Sequence, residues 1–184
     1  LSGVATLTKH FVEQVRGTGV QIFDTRKTTP LWRELEKQAV RAGGGYHHRL
    51  GLWDQVLVKD NHWAVLRKTG SWNHLVASRA LNVLLRQGRR RPFIEIEVED
   101  LRQLLRVLSF APDAILLDHF SVADLKKAVE IVKAFRKGPL LEASGGIRLA
   151  NVRVVAKTGV DRISVGALTH SAPALDLSLE RDPC

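Results

Sequence analysis

Residues 94–118 read IEIEVEDLRQLLRVLSFAPDAILLD. Two short β-prone runs, IEIEV (94–98) and AILLD (114–118), flank LRQLLRVL (101–108), whose apolar residues recur at helical spacing. A strand, a helix and a second strand in this order predict a right-handed crossover between parallel strands. The alternation continues in both directions. VQIFD (20–24) and QVLVK (55–59) read as strands upstream, LLEA (140–143) and RISV (162–165) downstream, giving about six strands. Helical patterns fall at 31–42, 72–86, 122–135 and 149–157, with Pro30, Gly138-Pro139 and Gly159 at the boundaries. The fold class is therefore α/β, with a barrel and a doubly wound sheet both consistent. No G-x-G-x-x-G follows the first strand, which weighs against a dinucleotide-binding sheet.

The 184 residues fit one domain, and 45% hydrophobic with 26% charged residues is ordinary for a globular protein. No apolar run approaches the roughly 20 residues that span a bilayer, and the start lacks a signal-peptide pattern. The one cysteine, Cys184, allows no internal disulfide, so a cytoplasmic protein is expected. Methionine is absent even at position 1, so the chain is expected either to start inside a longer gene product or to have been processed. The formal charge of +9 reads either as a match for a polyanionic partner, nucleic acid or a phosphorylated substrate, or as a solvated basic surface. Arg86, Arg89, Arg90 and Arg91 carry no interleaved aromatics, so this run reads as a solvated loop and no nucleic-acid partner is expected.

Polar groups gather where the predicted strands end. The first strand runs into Asp24, Thr25, Arg26 and Lys27, the second into Lys59, Asp60, Asn61 and His62. Glu97, Asp118 with His119, Glu142 with Ser144-Gly145-Gly146, and Ser164 with Gly166 repeat the pattern. In a barrel these ends converge on one mouth, and in a doubly wound sheet on one crevice. Arg26, Lys27, His48, Arg49 and Lys59 form a cationic half that needs a multiply anionic ligand. Glu97 and Asp118 suit sugar hydroxyls or Mg²⁺ held on phosphates. The glycines after Ser144 and at Gly166 leave backbone N–H groups open as a phosphate seat.

Each feature has a plainer reading. Glu95 and Glu97 share a strand face, and one of them could simply pair with a nearby Lys or Arg. His47, His48, His62, His74 and His170 lack zinc-site spacing. Lys59 as a Schiff-base lysine stays open, although the density of other cations favours anion binding. Ser144 lies in E-A-S-G-G, not in a nucleophile elbow.

Eight strings resemble one family: DTRKTTP (24–30), EKQAVR (36–41), GGGYHHRLGL (43–52), VLVKDNH (56–62), IEIEVE (94–99), LLDHF (116–120), LEASGGI (141–147) and SVGALTHSAPALDLSL (164–179). In this order, across nearly the whole chain, they resemble quinolinate phosphoribosyltransferases. The resemblance implies an open, incomplete parallel α/β barrel of the type II phosphoribosyltransferase kind, filling residues 1–184. It implies transfer from phosphoribosyl pyrophosphate (PRPP) to quinolinate with loss of CO₂, giving nicotinate mononucleotide. Arg26, Lys27, His48, Arg49 and Lys59 would grip the quinolinate carboxylates and the pyrophosphate. Glu97 and Asp118 would face the ribose and Mg²⁺ of PRPP, directly or indirectly, while Ser144, Gly145, Gly166 and His170 would hold its 5-phosphate. Lys27, Glu97 and Asp118 are the catalytic candidates.

The chain departs from the family pattern at four places. Leu31 and Trp32 precede Arg33 where the family continues T-T-P-G-L-R, His47 replaces an Asn, and His119 interrupts L-L-D-N-F. The resemblance further implies an N-terminal α/β domain of about a hundred residues, a usual domain size, and a homodimer in which the partner's copy closes the site and lends an arginine. That domain is expected to be absent from this chain, which would impair a barrel acting alone. A molybdenum-operon relative of the family and a non-catalytic, anion-binding basic barrel stand as alternative readings.

Overall fold

A computed structural model of the chain describes residues 1–59, 61–62 and 92–181. Asp60, Cys184, the expected helix at 72–86, His74 and the arginines at 86 and 89–91 lie outside the described residues. The sheet contains β1 (Gln21–Phe23), β2 (Val56–Val58), β3 (Ile94–Val98), β4 (Ala114–Asp118), β5 (Leu140–Ser144) and β6 (Arg162–Ser164). Every pairing is parallel, in the order β1-β6-β5-β4-β3-β2. Among the described residues β1 and β2 do not pair, so the barrel stays open. The free side of β1 is met by Tyr46, whose N–H donates to the Ile22 carbonyl at 2.8 Å and whose carbonyl accepts from Asp24 N at 2.9 Å.

Helices α1 (Ser2–Gln14), α2 (Arg33–Ala42), α3 (Leu101–Val107), α4 (Val122–Lys133), α5 (Leu149–Ala156) and α6 (Ala167–His170) connect and cover the strands. The expected strands and the four expected helices within the described residues form within a few residues of their predicted bounds; α1 and α6 are additional. Asp100 starts α3 by accepting from Gln103 N at 2.7 Å, and that N–H holds its carboxyl below the usual range. Ser121 starts α4 by accepting from Asp124 N at 3.1 Å. Asp113 and Asp161 accept from the Ile94 and Leu141 N–H groups at 2.8 and 2.7 Å, anchoring the entry ends of β3 and β5. No helix among the described residues is long and apolar enough to cross a membrane.

The alternation of side chains along each strand divides the molecule into two environments. Ile22, Ile96, Val98, Ile115, Leu117, Leu141, Ala143, Ile163 and Val165 join one buried apolar cluster with Leu104, Leu125, Val129, Val132, Val152 and Val155 of the helices. The other face carries Glu95, Glu97, Glu142, Arg162 and Ser164. Many barrels fill their interior with branched aliphatic residues. Here the main hydrophobic cluster lies between sheet and helices, and the inner face mixes these polar groups with Phe23, Ala114 and Leu116.

Two family departures fall at left-handed backbone positions. Leu31 has φ 68° and is fully exposed in the turn before α2; His119 has φ 55° directly after β4. Glycine and asparagine, the residues the family pattern holds there, adopt this conformation at low cost, whereas leucine does not. Leu31→Gly is expected to relieve this strain and stabilise the fold by about 0.5–1 kcal/mol after the added unfolded-chain entropy of glycine is subtracted. Urea unfolding midpoints of the two proteins, at equal slope, check this.

Candidate active site

Asp24, fully buried where β1 ends, organises the first rim loop. Both its oxygens accept from Lys37 Nζ, at 2.7 and 2.8 Å, bringing α2 against the strand end. Its Oδ2 also lies 2.9 Å from His47 Nδ1, and Oδ1 accepts from His48 N at 3.0 Å. One carboxylate thus sets the direction in which residues 47–49 cross the barrel. Thr29 N donates to Glu36 Oε2 at 3.1 Å, and Arg33 reaches back to Thr28 Oγ1 at 3.1 Å, closing the 25–33 turn.

The two arginines of the cationic set face the same space. Burial lowers the Arg49 pKa and the neighbouring Arg26 charge lowers it further, against an opposing contribution from Glu95. Arg26 Nε is buried with no hydrogen-bond partner among the described residues. An arginine whose charge bears on a neighbouring arginine, with a buried N–H unused among the described residues, makes the kind of pair that suits an anion. Lys59 lies beyond the end of β2 and reaches Glu97 Oε2 at 2.7 Å.

Glu97 on β3 registers opposite Leu116 on β4, so Asp118 sits one same-face step nearer the mouth. Asp118 Oδ2 is 2.9 Å from His119 Nδ1, and His119 N donates to the Ser144 carbonyl at 2.9 Å. Asp118 registers opposite Ser144 on β5. Gly145 and Gly146 follow with φ 88° and 65°, and a Cβ on Gly145 would fall under 3.0 Å from the His119 ring. The positive φ favours glycine at both positions, and a side chain at 145 would also displace the His119 ring.

On β6, Ser164 Oγ is buried without a hydrogen-bond partner among the described residues. A Cβ on Gly166 would meet His170 Nε2 at 3.0 Å and Lys27 Cδ at 3.5 Å. Thr169 Oγ1 donates to the Lys27 carbonyl at 2.6 Å, tying the first rim loop to α6. Gly145 and Gly166 follow adjacent parallel strands, so their open backbone lies side by side at one end of the sheet. A cavity of about 490 Å³ between the chain start and residues 172–177 borders His170 and Thr169. Its lining, with Leu1, Trp32, Leu175 and Leu177, is largely apolar and holds none of the rim arginines.

Deeper in the interior, His48 Nε2 lies 2.7 Å from Glu95 Oε2 and 3.3 Å from Glu142 Oε1. Both acids are fully buried. The approaches are ionic contacts off the N–H axis, and neither Glu142 oxygen has a hydrogen-bond partner among the described residues. Gln55 Nε2 lies 3.2 Å from both His48 Nδ1 and Glu95 Oε2. Burial disfavours the His48 charge, but Glu142 and then Glu95 outweigh it and raise its pKa from the ordinary 6.5 to about 10. Burial and the Glu142 charge also raise Glu95. Both directions keep a proton on this triad above neutral pH. The His48 contribution to stability is therefore complete below about pH 6.5 and fades as pH rises through about 10.

The site residues expected from the sequence thus sit on one side of the sheet: Arg26 with Arg49, Lys59 with Glu97, Asp118 with Ser144 and Gly145, and Lys27 with Gly166 and His170. Sequence reasoning did not single out Lys37, Gln55 or Arg162. The guanidinium of Arg162 stacks over the Phe23 and Phe93 rings at 4.9 and 5.2 Å and offsets Glu95. No local pattern marks these residues, because each partner lies on a remote segment.

Fold and rim together define a class: an open parallel α/β barrel with cationic and acidic side chains gathered at the carboxyl ends of its strands. Residues 4–180 match the quinolinate phosphoribosyl transferase C-terminal domain, and the chain belongs to that family. It is 44% identical over 180 residues to nicotinate-nucleotide pyrophosphorylase [carboxylating] of Mycobacterium leprae, covering 98% of this chain and 60% of the relative. A probable nicotinate-nucleotide pyrophosphorylase of Synechocystis sp. is 39% identical over 181 residues, with 98% and 58% covered. The solved nicotinate-nucleotide pyrophosphorylase of Francisella tularensis superposes with a TM-score of 0.82 at 36% identity, covering 96% of this chain and 58% of that one. That of Ehrlichia chaffeensis gives 0.78 at 44% identity, with 92% and 57% covered. The chain therefore spans about three fifths of the length of the relatives it matches.

Lys37→Met keeps the volume of the α2 contact but removes the main counter-ion of buried Asp24. A loss of about 3 kcal/mol is expected, measured by urea unfolding at neutral pH, because a buried charge left short of its partner is costly.

Proposed function

We propose that this site transfers the phosphoribosyl group of PRPP to quinolinate and releases CO₂, forming nicotinate mononucleotide and pyrophosphate. The observation that carries the reading is the Arg26–Arg49 pair, with the unused Arg26 Nε, facing a mouth that also holds Glu97 and Asp118. Quinolinate offers two adjacent carboxylates, which match two guanidinium forks. Lys27 and Lys59 add charge for the pyrophosphate. The glycine loops after β5 and β6, with Ser144 and His170, suit the 5-phosphate, in the late-barrel position where such groups are often bound.

In this reading the pyridine nitrogen attacks the anomeric carbon as the bond to pyrophosphate breaks and the electron pair leaves on the departing oxygen. The bond from ring carbon 2 to its carboxylate then breaks, CO₂ departs, and a proton replaces it on the ring. No covalent nucleophile is needed. The protein contributes position and charge: arginines fix the ring, lysines stabilise the leaving group, and Glu97 and Asp118 face the positive charge developing on the ribose.

The resemblance also implies Mg²⁺ carried with PRPP. Glu97 and Asp118 supply hard carboxylate oxygens of a suitable kind, and they do not form a three-ligand cluster among the described residues. That donor set fits an ion held mostly by phosphate oxygens and water, with Glu97 and Asp118 as its protein neighbours. When bound, the ion would offset charge on the pyrophosphate. A second copy of the protein closing the mouth and adding an arginine is part of the same proposal.

Calorimetric titration tests the reading. Quinolinate is expected to bind, and Arg26→Ala or Arg49→Ala to weaken it by one to two orders of magnitude, the worth of a charge-assisted contact. Binding that responds only to salt, and equally to any polyanion, would support the basic-barrel alternative. Glu97→Gln and Asp118→Asn are expected to raise KM for PRPP while quinolinate binding survives. Parallel loss of both ligands would contradict the assigned division.

A further inference from the structure

We infer that Glu95 and Glu142 are positioning residues that keep His48 a cation beside Arg49, leaving its Nδ1 for a carboxylate of the bound ligand. The inference deepens the proposed function and rests on it for the identity of the ligand.

Two fully buried carboxylates converge on one imidazole nitrogen, at 2.7 and 3.3 Å. Side by side in low dielectric, they would force protonation of one acid unless a positive group stood between them. The His48 side chain, only 6% exposed, is that group. A shared metal ion fits the distances less well. Two ligands each about 2.1 Å from one tetrahedral ion lie roughly 3.4 Å apart, whereas Nε2 and the Glu95 oxygen are 2.7 Å apart.

With Nε2 committed to the acids, Nδ1 remains, and Gln55 occupies it at 3.2 Å. Facing an imidazolium N–H, the Gln55 amide must turn by half a rotation to present its oxygen to Nδ1, which gives up its Nε2 bond to Glu95 Oε2. An imidazolium N–H there donates to the amide oxygen. A ligand carboxylate would take the place of this neutral acceptor and make a stronger, charge-assisted bond. Without its acids, His48 near its ordinary pKa would be largely neutral at physiological pH, and one cation of the grip would be lost.

The charged groups around the ring come from every neighbouring element. β3 supplies Glu95 and β5 supplies Glu142. Asp24 at the end of β1 accepts from the His48 backbone and is itself held by Lys37 of α2 and by His47. Arg162 of β6 acts on Glu95, and Arg26 acts on Arg49. The near contacts to the ring itself are acidic, and they outweigh burial to hold the pKa at about 10.

The test follows the His48 ring resonance by NMR from pH 6 to 9, assigned with His48→Asn, alongside calorimetric quinolinate affinity over the same range. In the wild type the resonance is expected to stay flat, and the affinity with it. In Glu142→Gln the midpoint of the ring should fall from about 10 into the pH 6–9 range, with quinolinate affinity falling on the order of tenfold as pH rises through it, one charge-assisted bond being lost. Glu95→Gln provides the same readout should Glu142→Gln fail to fold. Loss of affinity that is equal at every pH would overturn the inference and leave the acids a merely structural role. A wild-type His48 titrating near 6.5 in a protein that binds quinolinate overturns the triad alone. A wild-type protein that binds no quinolinate at any pH overturns the functional reading beneath it.

Discussion

Buried charge on the inner face of the sheet is the constraint around which the molecule is arranged. Glu95, Glu97 and Glu142 lie inside a barrel with almost no exposure, and each ionised carboxylate removed from water costs several kcal/mol unless it is paired. The structure meets this with partners from elsewhere: Lys59 for Glu97, His48 for Glu95 and Glu142, Lys37 for Asp24, and Arg162 near Glu95. An aliphatic interior would satisfy stability with far fewer demands. The main hydrophobic cluster instead lies in the layer between sheet and helices, where outward strand residues join apolar residues of α1 to α5.

This division explains which parts of the molecule could be read from sequence. Strand positions are local: run length, β-branched content and flanking Gly or Pro locate β3, β4, β5 and β6 closely. The rim is local as well, since polar residues follow each strand. The pairing inside the barrel is not. Nothing near Lys37 announces Asp24 thirteen positions away across a turn, and nothing near Gln55 announces Glu95 forty positions on. Spacing shows that Glu95 and Glu97 share a face, but only the folded chain assigns one to His48 and the other to Lys59. Leu31 and His119 show the converse. Their departures from the family pattern were visible as letters, and their consequence appeared only as left-handed backbone angles.

The cationic rim follows from the same arrangement. Because the interior acids already hold Lys59 and His48 in place, the rim cations are positioned by the protein before any ligand arrives. Among the described residues Arg26 Nε has no hydrogen-bond partner, and the Arg26 charge lowers the Arg49 pKa, so the pair suits the proposed ligand with two adjacent carboxylates. Such preorganised charge suits a reaction in which a cationic ribose develops and a polyphosphate departs, where little covalent help from the protein is required. In the proposed function the glycine loops after β5 and β6 would complete the seat by offering backbone rather than side chain to a phosphate.

The most direct measurement is the stoichiometry of products from quinolinate labelled in its 2-carboxylate, with PRPP and Mg²⁺. The account predicts labelled CO₂ and pyrophosphate released in equal amounts, each dependent on both substrates. Pyrophosphate formed without labelled CO₂, or CO₂ released without PRPP, would contradict it.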